Sequence, residues 1–150
     1  MFNCADYASN PQLLLAQLFG YVKGAFTGAD KVASGLIEQT DGGVLFLDEI
    51  HRLPPEGQEM LFLLMDRGVY RMLGDGAVER KASVRLIAAT SEDPHSTLLK
   101  TLLRRFPVMI TLPDLDARPL EERLAMVEFF LRKEADRIGV PILVSPLVLI

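Results

Sequence analysis

The run GGVLFLDE, residues 42 to 49, constrains the fold more than any other stretch of this chain. Four apolar residues in succession, Val44 to Leu47, close on two carboxylates, Asp48 and Glu49. An apolar run without alternation suits a strand buried on both faces, which parallel sheets require and half-wet antiparallel sheets do not. A second such run, VRLIAAT, follows at 84–90, and a third, VMITLP, at 108–113. Helical patterns fill the intervals. SNPQLLLAQLFG offers Asn10 as N-cap, Pro11 in the first turn and Gly20 as the stop. VASGLIEQTDGG predicts a short helix ending at Asp41-Gly42-Gly43, and PEGQEMLFLLMDRG one with Met60, Leu61, Leu64 and Met65 on one face. PHSTLLKTLLRRF predicts another helix. PLEERLAMVEFFLRKEADRIG predicts the longest, with Leu120, Leu124, Val127 and Leu131 facing inward and Gly139 at its end. VYRMLGDGAVERKA predicts a hairpin around Gly74-Asp75-Gly76, and SPLVLI predicts the start of a further helix, with Ser145 as its cap. Strands alternating with helices imply an α/β fold of three layers, a parallel sheet with helices on both faces.

The bulk properties exclude several classes of function. The chain has 150 residues, enough for one domain with a real core. Its formal net charge is -4, with acids and bases interspersed, so it lacks the basic stripe of a nucleic-acid interface and no direct DNA contact is expected. Cys4 is the single cysteine, which rules out an internal disulfide and fits a reducing cytoplasm. No apolar run approaches the roughly 18 residues of a membrane span, and polar Asn3, Asp6 and Asn10 replace a signal-peptide core. A cytoplasmic protein without membrane contact is expected. His51 and His95 are the two histidines, neither with a second ligand at helical spacing, so no zinc site is expected.

Chemistry concentrates at strand ends and in one loop. Asp48 and Glu49 close a buried strand at its carboxyl end, where ligands bind in open α/β sheets. Adjacent residues on a strand point in opposite directions, so the two acids divide their labour: one helps to hold Mg²⁺ and its neighbour polarises a water. The plainer alternative is a solvated strand end. Thr90 and Ser91 end the second strand; beside the first, their hydroxyls would hold a water or sense a phosphate, and otherwise they are turn residues. Arg104 and Arg105 either answer the helix dipole or offer a guanidinium in trans to a phosphate on a neighbouring subunit. In FGYVKGAFTGADK, Gly24 and Gly28 bracket Phe26 and Thr27. An aromatic displayed on a glycine-hinged tip is a candidate partner contact; folded back, it would instead plug the core.

The hexapeptide GAFTGA (Gly24, Ala25, Phe26, Thr27, Gly28, Ala29), followed at this distance by GGVLFLDE, resembles the central ATPase domain of bacterial sigma-54-dependent transcription activators, a branch of the AAA+ family. FNCADY, LFGYVKGAFTGA, LPPEGQEMLF and LPDLDARPLEER are similar to segments of that domain in the same order, and HRLPPEGQEMLF and RPLEER are closest to activators of sugar phosphotransferase operons. The resemblance implies ATP and Mg²⁺ as cofactors and the sigma-54 RNA polymerase holoenzyme as partner. Asp48 then corresponds to the Walker B acid on Mg²⁺ and Glu49 to the acid that orients the attacking water. Asn3 corresponds to an asparagine that in relatives pairs with this glutamate and links nucleotide state to the loop. Residues 24–29 would touch sigma-54, with Phe26 as the contact and Thr27 as its support, and turnover in a homo-oligomeric ring of six subunits would remodel the closed promoter complex. The hairpin at Gly74–Gly76 resembles the family's second surface loop.

This chain also departs from the pattern. The family's Thr-Asn after the second strand is Thr90-Ser91 here, and of two trans arginines the second falls at Arg105 while the first falls at Leu99, leaving Arg104 as a substitute. No G-x-x-x-x-G-K-[ST] run occurs. The similarity therefore begins just after the Walker A loop and ends at the start of the helical lid, so residues 1–150 are expected to be a partial sigma-54 interaction domain. Its AAA+ core would be incomplete, without the phosphate-loop strand that in the family lies between VRLIAAT and VMITLP, and inactive alone as an ATPase. The alternatives are an ATPase with another client, of helicase or clamp-loader type, and a non-catalytic module that binds sigma-54 or sibling subunits without turnover.

Overall fold

The computed structural model describes residues 1–141 of the chain, which divides into two units, Met1–Pro107 and Val108–Ile150. In chain order the strands are β1 (Phe2–Asn3), β2 (Gly20–Tyr21), β3 (Ala33–Ser34), β4 (Val44–Asp48), β5 (Val69–Tyr70), β6 (Arg80–Lys81) and β7 (Arg85–Ala88). The helices are α1 (Pro11–Phe19), α2 (Leu36–Gln39), α3 (Pro55–Arg67), α4 (Pro94–Thr97) and α5 (Lys100–Leu103), with α6 (Leu120–Ile138) in the second unit. Short 3-10 turns occupy Cys4–Tyr7, Ile50–Arg52 and Leu115–Ala117.

The first unit is an α/β body on a parallel sheet in the order β1-β4-β7. Leu45 pairs with Leu86 and Leu47 with Ala88, so the apolar residues of both strands share one face. On that face Leu45 and Leu47 join a single core with Leu14, Leu18 and Phe19 of α1, Ile37 of α2, Leu61 and Leu64 of α3, and Leu102 of α5. The opposite face differs from the expectation of burial on both sides. Phe46 is half-buried, Val44 and Ile87 are exposed, and Arg85 points to solvent. The apolar run is genuine, but the helices of this unit cover the Leu45–Leu47 side.

The helix ends follow their sequence signals. Asn10 caps α1 by accepting from the Leu13 N–H at 3.0 Å, with Pro11 at the first helical position. α3 stops at Gly68 in the left-handed conformation, and the chain turns into the predicted hairpin of β5 and β6. The helix expected over PHSTLLKTLLRRF is broken into α4 and α5. At the break the Ser96 and Thr97 hydroxyls both donate back to the Asp93 carbonyl, and Leu98 is extended and buried. Buried Gln58 of α3 fills the gap: its Nε2 donates to the Leu53 and Thr97 carbonyls, and its Oε1 accepts from the Leu99 N–H at 2.7 Å. A side chain thus takes over backbone hydrogen bonds that a continuous helix would have made for itself.

Two expectations fail in the second unit. VMITLP is not a strand: residues 108–113 have no ladder partner among the described residues, and Val108, Ile110 and Leu112 stand exposed. An extended run needs a neighbouring strand to bond its backbone, and hydrophobicity alone does not supply one. α6 forms as predicted and ends at left-handed Gly139, but Leu120, Val127 and Leu131 are exposed, because no described residue of that unit covers them. The helix expected from SPLVLI lies outside the described residues. Among those described, no helix is long and apolar enough to cross a membrane.

Candidate functional site

β4 delivers both acids to the carboxyl end of the sheet. The β4–β7 ladder continues one step past the strands, with the Ala89 N–H donating to the Leu47 carbonyl at 2.9 Å and the Ile50 N–H to the Ala89 carbonyl at 3.0 Å. That extension brings Thr90 and Ser91 alongside Asp48 and Glu49, the juxtaposition expected if the two strands were neighbours. Asp48 is half-buried; its Oδ1 accepts from the Glu49 N–H at 3.1 Å, and its Oδ2 has no partner among the described residues. Glu49 leaves the strand in the left-handed region, φ 51° and ψ 47°, and is the one non-glycine residue with positive φ among those described. That conformation is uncommon for a side chain of this size and turns the glutamate away from the line of β4.

The Glu49 carboxylate is held asymmetrically. Its Oε2 accepts from the Ser91 N–H at 3.2 Å and from the Ser91 hydroxyl at 2.9 Å, and lies 3.1 Å from His51 Nδ1. The Ser91 backbone N–H, then its hydroxyl, hold the Glu49 carboxyl below the usual carboxylate range. His51 stands on the 3-10 turn after Glu49, nearly buried, with Nδ1 also 2.9 Å from the Thr90 hydroxyl. The sequence does not announce its place in this cluster; its one signal is a position two residues past an acid that follows a strand. Beneath the acids, Cys4 is fully buried, and burial with the negative charge of Asp48 and Glu49 pushes its thiol up to about 12.

Asn3 lies directly beside Asp48 in the β1–β4 register. Its side chain does not meet Glu49: Oδ1 caps the 3-10 turn by accepting from the Ala5 N–H at 2.9 Å, and Ser91 and His51 occupy the glutamate instead. Arg105 follows α5 and pairs with Asp66 of α3 while its guanidinium sits 5.2 Å from the centre of the Phe62 ring. Arg104 is exposed and has no ion-pair partner among the described residues.

The loop 22–32 joins β2 to β3, which pair antiparallel at its base. Within it the Gly24 N–H donates to the Ala29 carbonyl at 2.8 Å and the Ala29 N–H to the Phe26 carbonyl at 3.0 Å, closing a small internal ring. Gly24 and Gly28 have φ of 82° and 95°, values that only glycine adopts readily. Thr27 is exposed and Ala29 is buried. Phe26 is neither of the two extremes expected: it is half-buried, its ring 5.0 Å from that of Tyr21, and it stands outside the core cluster. The hairpin of β5 and β6 braces the loop base, with the Val22 N–H donating to the Leu73 carbonyl and the Leu73 N–H to the Gly20 carbonyl. Gly74 lies so close to Ala25 that a Cβ there would come within 2.7 Å of the alanine side chain.

Comparison with known proteins fits this arrangement. The family model described as "Sigma-54 interaction domain" matches residues 1–110. The chain is 58% identical over 137 residues to the transcriptional regulatory protein LevR of Bacillus subtilis, and 52% identical over 137 residues to the transcriptional regulatory protein DagR of Salmonella typhimurium, covering 91% of this chain in each case. It spans 15% of the length of either relative. The fold is similar to the crystal structure of NtrX from Brucella abortus in complex with ADP, with a TM-score of 0.79 and 28% identity, over 97% of this chain and 32% of NtrX. The ATP complex of the same protein gives a TM-score of 0.77 at 26% identity, over 97% and 31%. The chain therefore belongs to the sigma-54 interaction domain family of bacterial transcription regulators.

Proposed function

We propose that this chain is the part of an ATP-driven activator of sigma-54 RNA polymerase that carries the acids of nucleotide hydrolysis and touches the polymerase. The observation that carries the reading is the loop 22–32. It offers Phe26 outside the core on a two-glycine frame, and its family match is to a sigma-54 interaction domain. In this reading residues 24–29 engage sigma-54, with Phe26 as the contact and Thr27 as its support. The solved NtrX complexes with ADP and ATP support nucleotide as the cofactor.

The residues present fit the metal and water side of an Mg-ATP site. Asp48 offers a free carboxylate oxygen at the sheet's carboxyl end, the hard donor Mg²⁺ takes. Mg²⁺ is bound mainly by phosphates and water, with one or two carboxylates from the protein. The 150 residues include no Walker A run, so the phosphate cradle is not among them. Magnesium-bound ATP supplies the transferable phosphoryl group and the neutralising charge. Asp48 would hold the ion, and Glu49 would orient the attacking water through Oε1, which has no partner among the described residues. Glu49 stays anionic because Ser91 donates to it twice. Thr90 and Ser91, just past β7, stand beside the acids where a terminal phosphate would be sensed, and Asn3 borders the metal side through its pairing with Asp48. Arg105 serves a neighbouring subunit of a homo-oligomeric ring once it leaves Asp66, with Arg104 beside it.

The test is Glu49→Gln in the complete gene product that carries this chain. Hydrolysis is expected to fall by at least about a hundredfold while ATP still binds. Unimpaired turnover removes Glu49 from the site. A wild-type protein that binds sigma-54 without any turnover establishes the non-catalytic module in place of the ATPase.

A further inference from the structure

We propose that His51 is the positioning residue for Glu49, fixing one carboxylate oxygen so that the other is presented to water. The proposal rests on the ATPase reading above. An ionised carboxylate can only accept, so the ring nitrogen facing it, Nδ1, must carry the proton. That N–H is hydrogen-bonded to the Thr90 oxygen at 2.9 Å, and the same nitrogen lies 3.1 Å from Glu49 Oε2, in ion-pair contact with it. The Thr90 oxygen accepts from the Glu92 N–H at 3.1 Å and has a second lone pair for His51, while its own proton goes to the Glu92 carbonyl at 3.4 Å. Oε2 thus has two hydrogen bonds, both from Ser91, with the His51 ring against it, whereas Oε1 has no partner among the described residues.

The mount is rigid. His51 sits between Ile50, which is 1% exposed and bonded through its N–H to Ala89, and Leu53, which is 2% exposed. The imidazole itself is 8% exposed, too enclosed to be a casual surface neighbour. Glu49 is also the residue that most needs such a hold, since its left-handed backbone persists only where the surroundings over-determine it. His51 thus links the acid just past β4, by a 3.1 Å contact, to the hydroxyl just past β7, by a hydrogen bond.

The experiment compares His51→Asn, His51→Gln and His51→Phe in the complete gene product. Asparagine places an amide nitrogen where Nδ1 lies, glutamine carries it on towards Nε2, and phenylalanine has no donor. Two readouts are taken: steady-state ATP hydrolysis, and hydrogen exchange of the peptide containing the Ser91 amide in nucleotide-free protein. His51→Phe and His51→Gln are expected to lower kcat by about tenfold or more, through misplacement of the water-orienting acid. KM should stay within about twofold, as expected when an interaction of the transition state is lost. Both variants should also speed exchange at Ser91, and His51→Asn should recover most of both properties. Wild-type kcat and exchange in the Phe and Gln variants overturn the assignment. Where the Phe variant does not fold, the Asn and Gln variants decide, and equal behaviour of those two overturns it. An inactive Glu49→Gln with normal His51 variants removes His51 alone. Normal turnover in Glu49→Gln, or no ATP hydrolysis by the wild-type protein, removes the ATPase reading and His51's role together.

Discussion

Gln58→Leu is the most informative perturbation of the scaffold that holds Arg104 and Arg105. Gln58 is 3% exposed, and it bonds the Leu53 carbonyl at 3.0 Å, the Thr97 carbonyl at 3.4 Å and the Leu99 N–H at 2.7 Å. Leucine fills nearly the same space and adds apolar contact, so packing is retained while the Leu99 donor and Leu53 acceptor lose their partner. A stranded buried group costs about 1–3 kcal/mol, so the break between α4 and α5 should weaken by about 2 kcal/mol after the apolar gain. At tenfold per 1.4 kcal/mol, opening there becomes about thirtyfold more frequent. Hydrogen-exchange mass spectrometry on residues 97–103 reads this locally, with β4 and α1 as unchanged controls. Wild-type exchange at 97–103 refutes the claim that Gln58 holds the break, and uniform acceleration across the unit refutes the claim that its role is local.

Two further outcomes follow from the site. Arg105→Ala should lower ATP turnover by about a thousandfold if the guanidinium acts on a neighbour's phosphate, and turnover measured across protein concentration checks it; a small loss means that Arg105 serves Asp66 and Phe62 alone. The Cys4 thiol, raised from 9.0 to about 12 chiefly by burial, should resist alkylation in the native protein at pH 8 and react at once in denaturant. Its folded pKa is the higher one, so the stability that comes from keeping the proton is present below pH 9.0 and lost as pH rises towards 12. Rapid native labelling would mean that Cys4 is open to solvent.

Caps and strand ends were legible because their causes are local. Asn10-Pro11, Gly68 and Gly139 each act within a turn of their own helix, and VLFLDE carries its acids to the carboxyl end of the sheet by chain geometry alone. Long-range partners were not legible. The break at Leu98 depends on Gln58, forty residues earlier in the chain, and nothing in PHSTLLKTLLRRF signals that a glutamine will replace its backbone bonds. VMITLP reads as a strand because its composition is right, but pairing needs a neighbour that composition does not reveal. At the site, proximity of Thr90 and Ser91 to the acids followed from strand adjacency. The grip on Glu49 by Ser91 and His51, in place of Asn3, depended on a left-handed backbone that no residue type at position 49 announces.

The central claim is that nucleotide chemistry at the end of β4 reaches sigma-54 through Phe26. Promoter opening by the sigma-54 holoenzyme and ATP hydrolysis, followed in one reaction with Phe26→Ala in the complete gene product, test it most directly. Opening is expected to be lost while hydrolysis stays within about twofold of wild type, because the substitution removes a contact and not a catalytic group. Loss of both activities together, or full opening by the variant, contradicts the account.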